Sequence, residues 1–144
     1  LKLGLYSELA RKDIVKVRNY ISGRKLQANE ENIRNFRQRV ISGELINLNS
    51  LTKFDDFFSL SEFRDLCFHA KEHRFTINQL QEILKSNELK FLGFLSQKPV
   101  KSLYKNYLPE DKKQINLQSL SKFEENHPNT FRSMYQFGVS KMTT

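Results

Sequence analysis

Apolar residues alternate with polar ones near both ends of the chain, and they recur at a helical spacing over most of the rest. Residues 2–6 place Leu3 and Leu5 on one side of a short alternation, and residues 134–141 alternate in the same way. Residues 89–95 are apolar almost throughout, which favours a strand that is covered on both faces. The pattern therefore predicts three β-strands, at residues 2–6, 89–95 and 134–141.

Between the predicted strands, apolar residues three and four positions apart predict helices. Asn29 is a typical helix cap, and capping-box patterns begin at Ser59 and Thr76. Residues 44–58 fit neither period, and we expect them to form an irregular loop that packs inward. The predicted helical segments are residues 8–23, 29–43, 59–73, 76–88, 100–108 and 117–123.

These elements predict a helix-rich α+β fold with a three-strand sheet, in a single domain over residues 1–144. Three strands make a small sheet for so many helices, so we expect them to be one edge of a larger sheet that a preceding part of a parent protein completes. The first residue is Leu1 and not Met, which agrees with this expectation. The outer side of the first strand would then be an unpaired edge, where we expect dimerisation or strand exchange.

The formal net charge of +8 raises the question of nucleic-acid binding. Basic residues are interleaved with acidic ones along most of the chain, which argues against nucleic acid as the main partner. A basic helical module that contacts protein or RNA is the alternative from another functional class. The densest basic cluster is Lys98, Lys101, Lys105, Lys112 and Lys113.

The sequence also bears on compartment. No stretch approaches the ~18 consecutive apolar residues that a membrane-spanning helix needs, and no signal-peptide pattern opens the chain. The single cysteine, Cys67, lies in an apolar helical pattern, which fits a reduced thiol in a protein core. We expect a cytoplasmic protein with no membrane partner.

Four segments carry a resemblance to a known family. They are residues 3–11, 56–66, 69–76 and 134–137, which read LGLYSELAR, DFFSLSEFRDL, HAKEHRFT and MYQF. In order and spacing they resemble the C-terminal part of bacterial class I S-adenosylmethionine-dependent methyltransferases, some of which carry tetratricopeptide repeats. Gly138 departs from this pattern, since an aromatic residue is expected there.

The resemblance implies an incomplete α/β class I methyltransferase fold. The three strands would be strands five, six and seven of a sheet ordered 3-2-1-4-5-7-6, with the last strand antiparallel between the other two. The parent protein would transfer a methyl group from S-adenosylmethionine to an acceptor. The glycine-rich turn and the acidic residue that hold this cofactor in the family have no counterpart here. We therefore expect this segment to bind no cofactor, and to be inactive without the missing N-terminal half of the domain.

The resemblance also implies an acceptor-substrate side, although it assigns no catalytic residue. Tyr6 and Glu8 come at the end of the first strand, where open α/β sheets bind their ligands. Ser7 and Glu8 also suit a purely structural role, as a helix cap and as an anion at a helix start. The implied substrate-side residues are Tyr6, Glu8, His69, Glu72, His73 and Arg74.

Residues 69–73 also have the H-x-x-E-H spacing of one zinc-binding pattern. A zinc site needs a third protein ligand and a helix that continues through both histidines, whereas residues 74–76 suggest a break and a new cap. We therefore predict no metal site. The structural alternative to a substrate role is that one histidine packs or caps, and that Glu72 pairs with Lys71, Arg74 or a histidine.

Overall fold

A computed structural model describes residues 1–68 and 72–143 of the chain, and its elements are helix-rich with a small mixed sheet. The chain divides into two compact units, which we call the sheet unit (Leu1–Ala10 and His73–Thr144) and the helical unit (Arg11–Glu72). The strands are β1 (Lys2–Ser7), β2 (Arg74–Phe75), β3 (Leu89–Phe94) and β4 (Tyr135–Lys141). The α-helices are α1 (Lys12–Gly23), α2 (Glu30–Ile41), α3 (Leu60–Phe68), α4 (Ile77–Ser86), α5 (Lys98–Tyr107) and α6 (Leu117–Asn126).

The sheet has the strand order β2-β1-β4-β3. β4 runs antiparallel to both of its neighbours, so β1 and β3 are parallel to each other. The three strands expected from the sequence are therefore present in the expected order, with the last strand in the middle. The expectation of only three strands is wrong, because β2 adds a short fourth one. β2 pairs in parallel with β1 through Tyr6 opposite Arg74 and Ser7 opposite Phe75.

β4 supplies the centre of the core of the sheet unit. Its alternate residues Tyr135, Phe137 and Val139 are almost completely buried, as the period-two pattern requires. Leu80 of α4 and Phe123 of α6 belong to the same hydrophobic cluster. Burying side chains of this size contributes roughly 1.5–3 kcal/mol each, which makes β4 the strand that stabilises this unit most.

The sequence predicts that β3 is covered on both faces, and this prediction is wrong. β3 lies at the edge of the sheet, and Leu92 is 52% exposed. The register shifts between Phe91 and Gly93, and Gly93 has a φ of +120°. This bulge lets Phe91 and Phe94 share one face, with ring centroids 5.0 Å apart. A continuous apolar run here therefore reflects an irregular strand and not a doubly covered one.

The helical unit packs α1, α2 and α3 against two 3₁₀ helices, Ile46–Lys53 and Asp55–Phe58. These 3₁₀ helices replace the irregular loop expected over residues 44–58, and the expectation that this segment packs inward is confirmed. Its buried apolar residues recur every three positions, which is the repeat of a 3₁₀ helix. They are Leu48, Leu51, Phe54 and Phe57.

The helix boundaries agree with the caps that the sequence offers. Asn29 accepts a hydrogen bond from the backbone N–H of Asn32 at 2.8 Å and opens α2. Thr76 and Gln79 form the predicted capping box at the start of α4. The helical spacing of Ile77, Leu80, Ile83 and Leu84 predicts one buried face, and this is wrong for Ile83, which is 39% exposed.

Some predicted boundaries need correction. α1 begins at Lys12 and not near residue 8, because a turn follows β1. α3 is described over Leu60–Phe68, and the predicted end near residue 73 is wrong because Glu72 and His73 are not helical. α5 begins at Lys98, with a proline in its first turn, where a missing N–H costs nothing.

Within residues 1–68 and 72–143, no helix combines the length and the apolar character needed to cross a membrane.

Candidate functional site at the end of the first strand

The segment after β1 is held by one buried carboxylate. The hydroxyl of Ser7 donates a 2.5 Å hydrogen bond to Oε2 of Glu124, on α6. The same hydroxyl oxygen accepts a hydrogen bond from the backbone N–H of Ala10 at 3.1 Å, which folds the residues after β1 into a turn. The hydroxyl of Tyr135, the first residue of β4, donates to Oε1 of Glu124 at 2.5 Å. One carboxyl group thus links β1, β4 and α6.

Glu124 is only 1% exposed, and its surroundings change its protonation. Burial disfavours the charged form and raises the pKa of Glu124, and the hydrogen bonds from Ser7 and Tyr135 reduce that rise without cancelling it. Burial and the neighbouring Glu124 charge likewise raise the pKa of Tyr135. Because Glu124 is buried, it acts by positioning the turn after β1 and does not reach a ligand at the surface.

Three of the six expected substrate-side residues come together next to this turn. Tyr6 is paired with Arg74 across β1 and β2, and the backbone N–H of Glu8 donates to the carbonyl of Phe75 at 2.9 Å. Glu8 is exposed, whereas Tyr6 and Arg74 are half-buried. The end of β1 therefore places a phenol, a carboxylate and a guanidinium on neighbouring positions, and His73, the residue before Arg74, is exposed.

Glu72 occupies a different environment, inside the helical unit. Its side chain is 6% exposed and accepts from Arg11 at 2.8 Å, and a nitrogen of Arg18 lies 3.1 Å from the same oxygen. Burial opposes ionisation, but the hydrogen bonds and charges of Arg11 and Arg18 lower the pKa of Glu72 overall. Sequence reasoning looked for partners close in the chain, at Lys71, Arg74 or a histidine. The two arginines were missed because they are far away in sequence, Arg11 just before α1 and Arg18 within it.

The remaining expected residue, His69, lies outside the described residues, so its position relative to the others stays a prediction. Among the residues that the structure describes, no group of three or more His, Cys, Asp or Glu side chains is arranged to hold a metal ion. The thiol of Cys67 is buried, and burial raises its pKa to about 12, which makes it a poor nucleophile at neutral pH.

Sequence reasoning did not single out Glu124 and Tyr135, although one signal was available. Glu124 follows Leu117 and Leu120 at the spacing of one helix face, next to Phe123. An acidic residue inside such an apolar stripe indicates a buried and hydrogen-bonded carboxyl group. The partners of that carboxyl group depend on the strand order, which the helix pattern does not contain.

A scan of the chain against protein-family models finds no family that matches. A search of curated proteins finds no matching sequence either.

Proposed function

We propose that this chain is the C-terminal part of a class I S-adenosylmethionine-dependent methyltransferase domain in a bacterial cytoplasm. It contributes one edge of the sheet and the acceptor-substrate side of the domain. The observation that carries the proposal is the position of β4, antiparallel between β1 and β3. This is the arrangement of strands five, seven and six in the family that the sequence resembles.

The strand order is informative because adjacency in sequence does not dictate it. β1 and β4 lie at opposite ends of the chain, yet Lys2 pairs with Gly138 and Leu5 with Tyr135. Sequential strands are neighbours more often than not, so a last strand inserted between the first and third is the less common outcome. The resemblance of the four sequence segments and this strand order are separate observations that support the same family.

In the proposed role, the end of β1 faces the methyl acceptor. Glu8 follows the carboxyl end of β1, where open α/β sheets bind ligands, and the paired residues Tyr6 and Arg74 lie beside that end. A phenol, a carboxylate and a guanidinium suit a polar acceptor that both donates and accepts hydrogen bonds. His69, Glu72 and His73 belong to the proposed substrate side through the resemblance alone.

The residues present do not fit the cofactor itself. In this family a glycine-rich turn between a strand and a helix holds S-adenosylmethionine. All five glycines of this chain lie elsewhere: Gly4, Gly93 and Gly138 within strands, and Gly23 and Gly43 at the ends of helices. The proposal therefore assigns cofactor binding to the N-terminal half of the parent domain, and methyl transfer by this segment alone is not expected.

The outer edge of β1 is where that half would join. β2 covers β1 only at Tyr6 and Ser7, and no other strand among the described residues pairs on that side. The backbone of residues 2–5 is therefore open to a further strand. A strand of the N-terminal half would pair there in the complete protein, and a second copy of this chain would pair there in its absence.

The proposal is tested by comparing two polypeptides in calorimetric titrations with S-adenosylhomocysteine. One is the 144-residue chain, and the other also contains the sequence encoded upstream of Leu1. We expect micromolar binding by the longer polypeptide and none by the chain. Binding by the chain alone, or failure of the longer polypeptide to bind, contradicts the proposal.

A second arm tests the acceptor side in the longer polypeptide. Glu8→Gln should lower kcat/KM for methyl transfer while leaving S-adenosylhomocysteine affinity unchanged, and Glu110→Gln, an exposed substitution elsewhere, should change neither. Equal effects of the two substitutions would remove the assigned role of Glu8. If the chain is instead an RNA-binding module, its affinity for RNA should fall by about 10³-fold or more between 50 and 200 mM salt.

A further inference from the structure

We infer that the sheet unit carries a binding site for a small organic anion with an aromatic body, formed between β3, α5 and the loop of residues 108–116. We call this site the lysine-rimmed cavity. None of the residues that line it lies at the end of β1, so the inference is independent of the proposed methyltransferase assignment.

The floor of the lysine-rimmed cavity is apolar and aromatic. The cavity has a volume of about 380 Å³, within the range typical of small-molecule sites. Phe94 and Phe131 meet with ring centroids 4.6 Å apart, and Tyr104 and Phe123 meet edge to face at 5.3 Å. Tyr104 and Phe123 are buried and support the floor from behind, whereas the half-buried Phe94 and Val100 present apolar surface to the cavity.

The rim of the cavity has a single sign of charge. The charged residues that line it are Lys101, Lys112 and Lys113, and no Asp or Glu is among the described residues of the lining. None of these three lysines forms an ion pair with any residue in the described part of the chain. Cationic groups beside an apolar floor attract a ligand that combines a negative charge with an apolar body.

The loop that presents two of these lysines is held in place by Asp111. Its carboxylate accepts hydrogen bonds from the hydroxyl of Tyr104 at 2.7 Å and from the backbone N–H groups of Ile115 and Asn116 at 3.1 and 2.9 Å. The side chain of Gln114 donates to the carbonyl of Lys101 at 2.9 Å and ties the loop to α5. Asp111 is thus occupied in building the rim, and a prearranged rim lowers the entropy cost of binding.

The charge on Asp111 is itself stabilised by this arrangement. Burial opposes its ionisation, but the hydrogen bonds from Asn116, Tyr104 and Ile115 lower the pKa of Asp111 overall.

The bulge in β3 forms one side of the cavity. A Cβ on Gly93 would lie 3.9 Å from both Ile115 and the carbonyl of Lys113. Strand and loop therefore approach closely and close one side of the cavity.

These features favour one class of ligand over others. A cation would meet three ammonium groups, and an uncharged apolar ligand would gain nothing from the rim. A nucleic-acid strand needs a basic track that continues over several phosphates, whereas the lysines here surround one opening. A two-ring aromatic carboxylate matches both the floor and the rim, and 2-naphthoate is a suitable probe of this chemistry.

The test is a titration of the 144-residue chain with 2-naphthoate and with 2-naphthamide, which has nearly the same shape and no charge, followed by backbone amide NMR shifts. We expect 2-naphthoate to bind more tightly by about 5-fold or more, with shifts concentrated at residues 92–96, 100–104 and 112–115. Equal affinity of the two probes, shifts spread elsewhere, or no binding of 2-naphthoate at millimolar concentration overturns the inference.

Matched variants distinguish binding at the lysines of the cavity from a general electrostatic attraction to a basic protein. Lys112→Gln/Lys113→Gln should weaken 2-naphthoate binding by about 3- to 10-fold and leave 2-naphthamide unaffected. Lys105→Gln/Lys122→Gln removes the same charge from exposed positions outside the cavity and should leave both affinities unchanged. If the two double variants weaken binding equally, the attraction is nonspecific and the inference fails.

Discussion

The hydroxyl of Ser7 donates a hydrogen bond to the carboxylate of Glu124, 117 positions later in the chain. This contact joins the end of the first strand to the last helix, and Tyr135 brings the last strand to the same carboxyl group. Buried polar groups are costly unless each has a partner. The three residues therefore depend on one another, and each can be tested by removing a single polar group.

Tyr135→Phe removes one donor to Glu124 while keeping the buried ring. We expect the free energy of unfolding of the sheet unit to fall by about 1–3 kcal/mol, because the Oε1 atom of a buried carboxyl group loses its partner. Urea unfolding at pH 7 measures the change. Tyr107→Phe, at a ring that is 39% exposed, is the control and should change stability by less than about 0.5 kcal/mol. Equal effects would show that the hydrogen bond contributes nothing specific.

Glu124→Gln should alter the dependence of stability on pH. Burial raises the pKa of Glu124 in the folded state above its ordinary value of 4.5, so the folded chain holds this proton more tightly than the unfolded chain does. The stability that comes from the protonated form is present below pH 4.5 and is lost as pH rises through the folded pKa. Relative to Glu124→Gln, the natural chain should therefore lose stability between pH 4.5 and the folded pKa, and then level off.

Urea unfolding of both proteins from pH 4 to pH 8 measures this difference, and contributions from other titrating groups cancel in the comparison. The slope cannot exceed about 1.4 kcal/mol per pH unit for one group. Glu125→Gln, at the exposed neighbouring position, should leave the pH profile of the natural chain unchanged. A constant offset between the natural chain and Glu124→Gln across this range would contradict a raised pKa.

Glu72→Ala should strongly destabilise the helical unit. It leaves Arg11 and Arg18, whose side chains are 7% and 13% exposed, without the carboxylate that they share. Loss of one partner of a buried ion pair costs about 3–5 kcal/mol. Hydrogen exchange of the α1 and α3 amides measures this unit directly. Glu30→Ala breaks the exposed pair with Arg34 and should cost only about 0.3–0.5 kcal/mol.

The same carboxylate predicts a pH effect of opposite sign to that of Glu124. The pKa of Glu72 is lowered in the folded state, so its contribution to stability is present above pH 4.5 and is lost as pH falls through the folded pKa. Protection factors of amides in the helical unit, which compare the observed exchange rate with the intrinsic rate at each pH, should therefore fall as the pH drops below 4.5. Protection that stays constant relative to that rate down to pH 3 would contradict the role of this ion pair.

Two glycines on adjacent strands should respond oppositely to alanine. Gly93 has a φ of +120°, so Gly93→Ala is strained and should destabilise the sheet unit by more than about 1 kcal/mol. A Cβ on Gly138 would lie 3.5 Å from Leu92 in ordinary contact, and Gly138→Ala should stabilise by about 0.4–1 kcal/mol. Thermal unfolding of both variants measures the contrast. A lower Tm for Gly138→Ala would show that the space beside Leu92 is not available.

The sequence was sufficient for elements whose signal is local. Asn29 and Thr76 mark helix starts because their side chains bond backbone N–H groups only three residues away. The alternation at Tyr135 and Phe137 reports a strand with one buried face. The strand order did not come from such patterns, since it was expected from the resemblance between four short segments and a known family.

The missed features depend on contacts between distant residues. Arg74 and Phe75 form a strand only because β1 offers backbone partners, and two residues carry no period of their own. The pairing of Glu72 with Arg11 and of Glu124 with Ser7 spans 61 and 117 positions. The threefold spacing from Leu48 onwards was a local signal for 3₁₀ helices, and it was missed because only periods of two and 3.6 were considered.

The central position of β4 has a consequence for synthesis on the ribosome. β1 and β3 leave the ribosome before β4, so neither has its long antiparallel partner until residues 135–141 have left the exit tunnel. Pairing between segments so far apart in sequence is slow, and unpaired strands with apolar faces are prone to associate with other chains. Nascent chains that stop before Tyr135 should therefore remain bound by chaperones, whereas release should coincide with completion of the last strand.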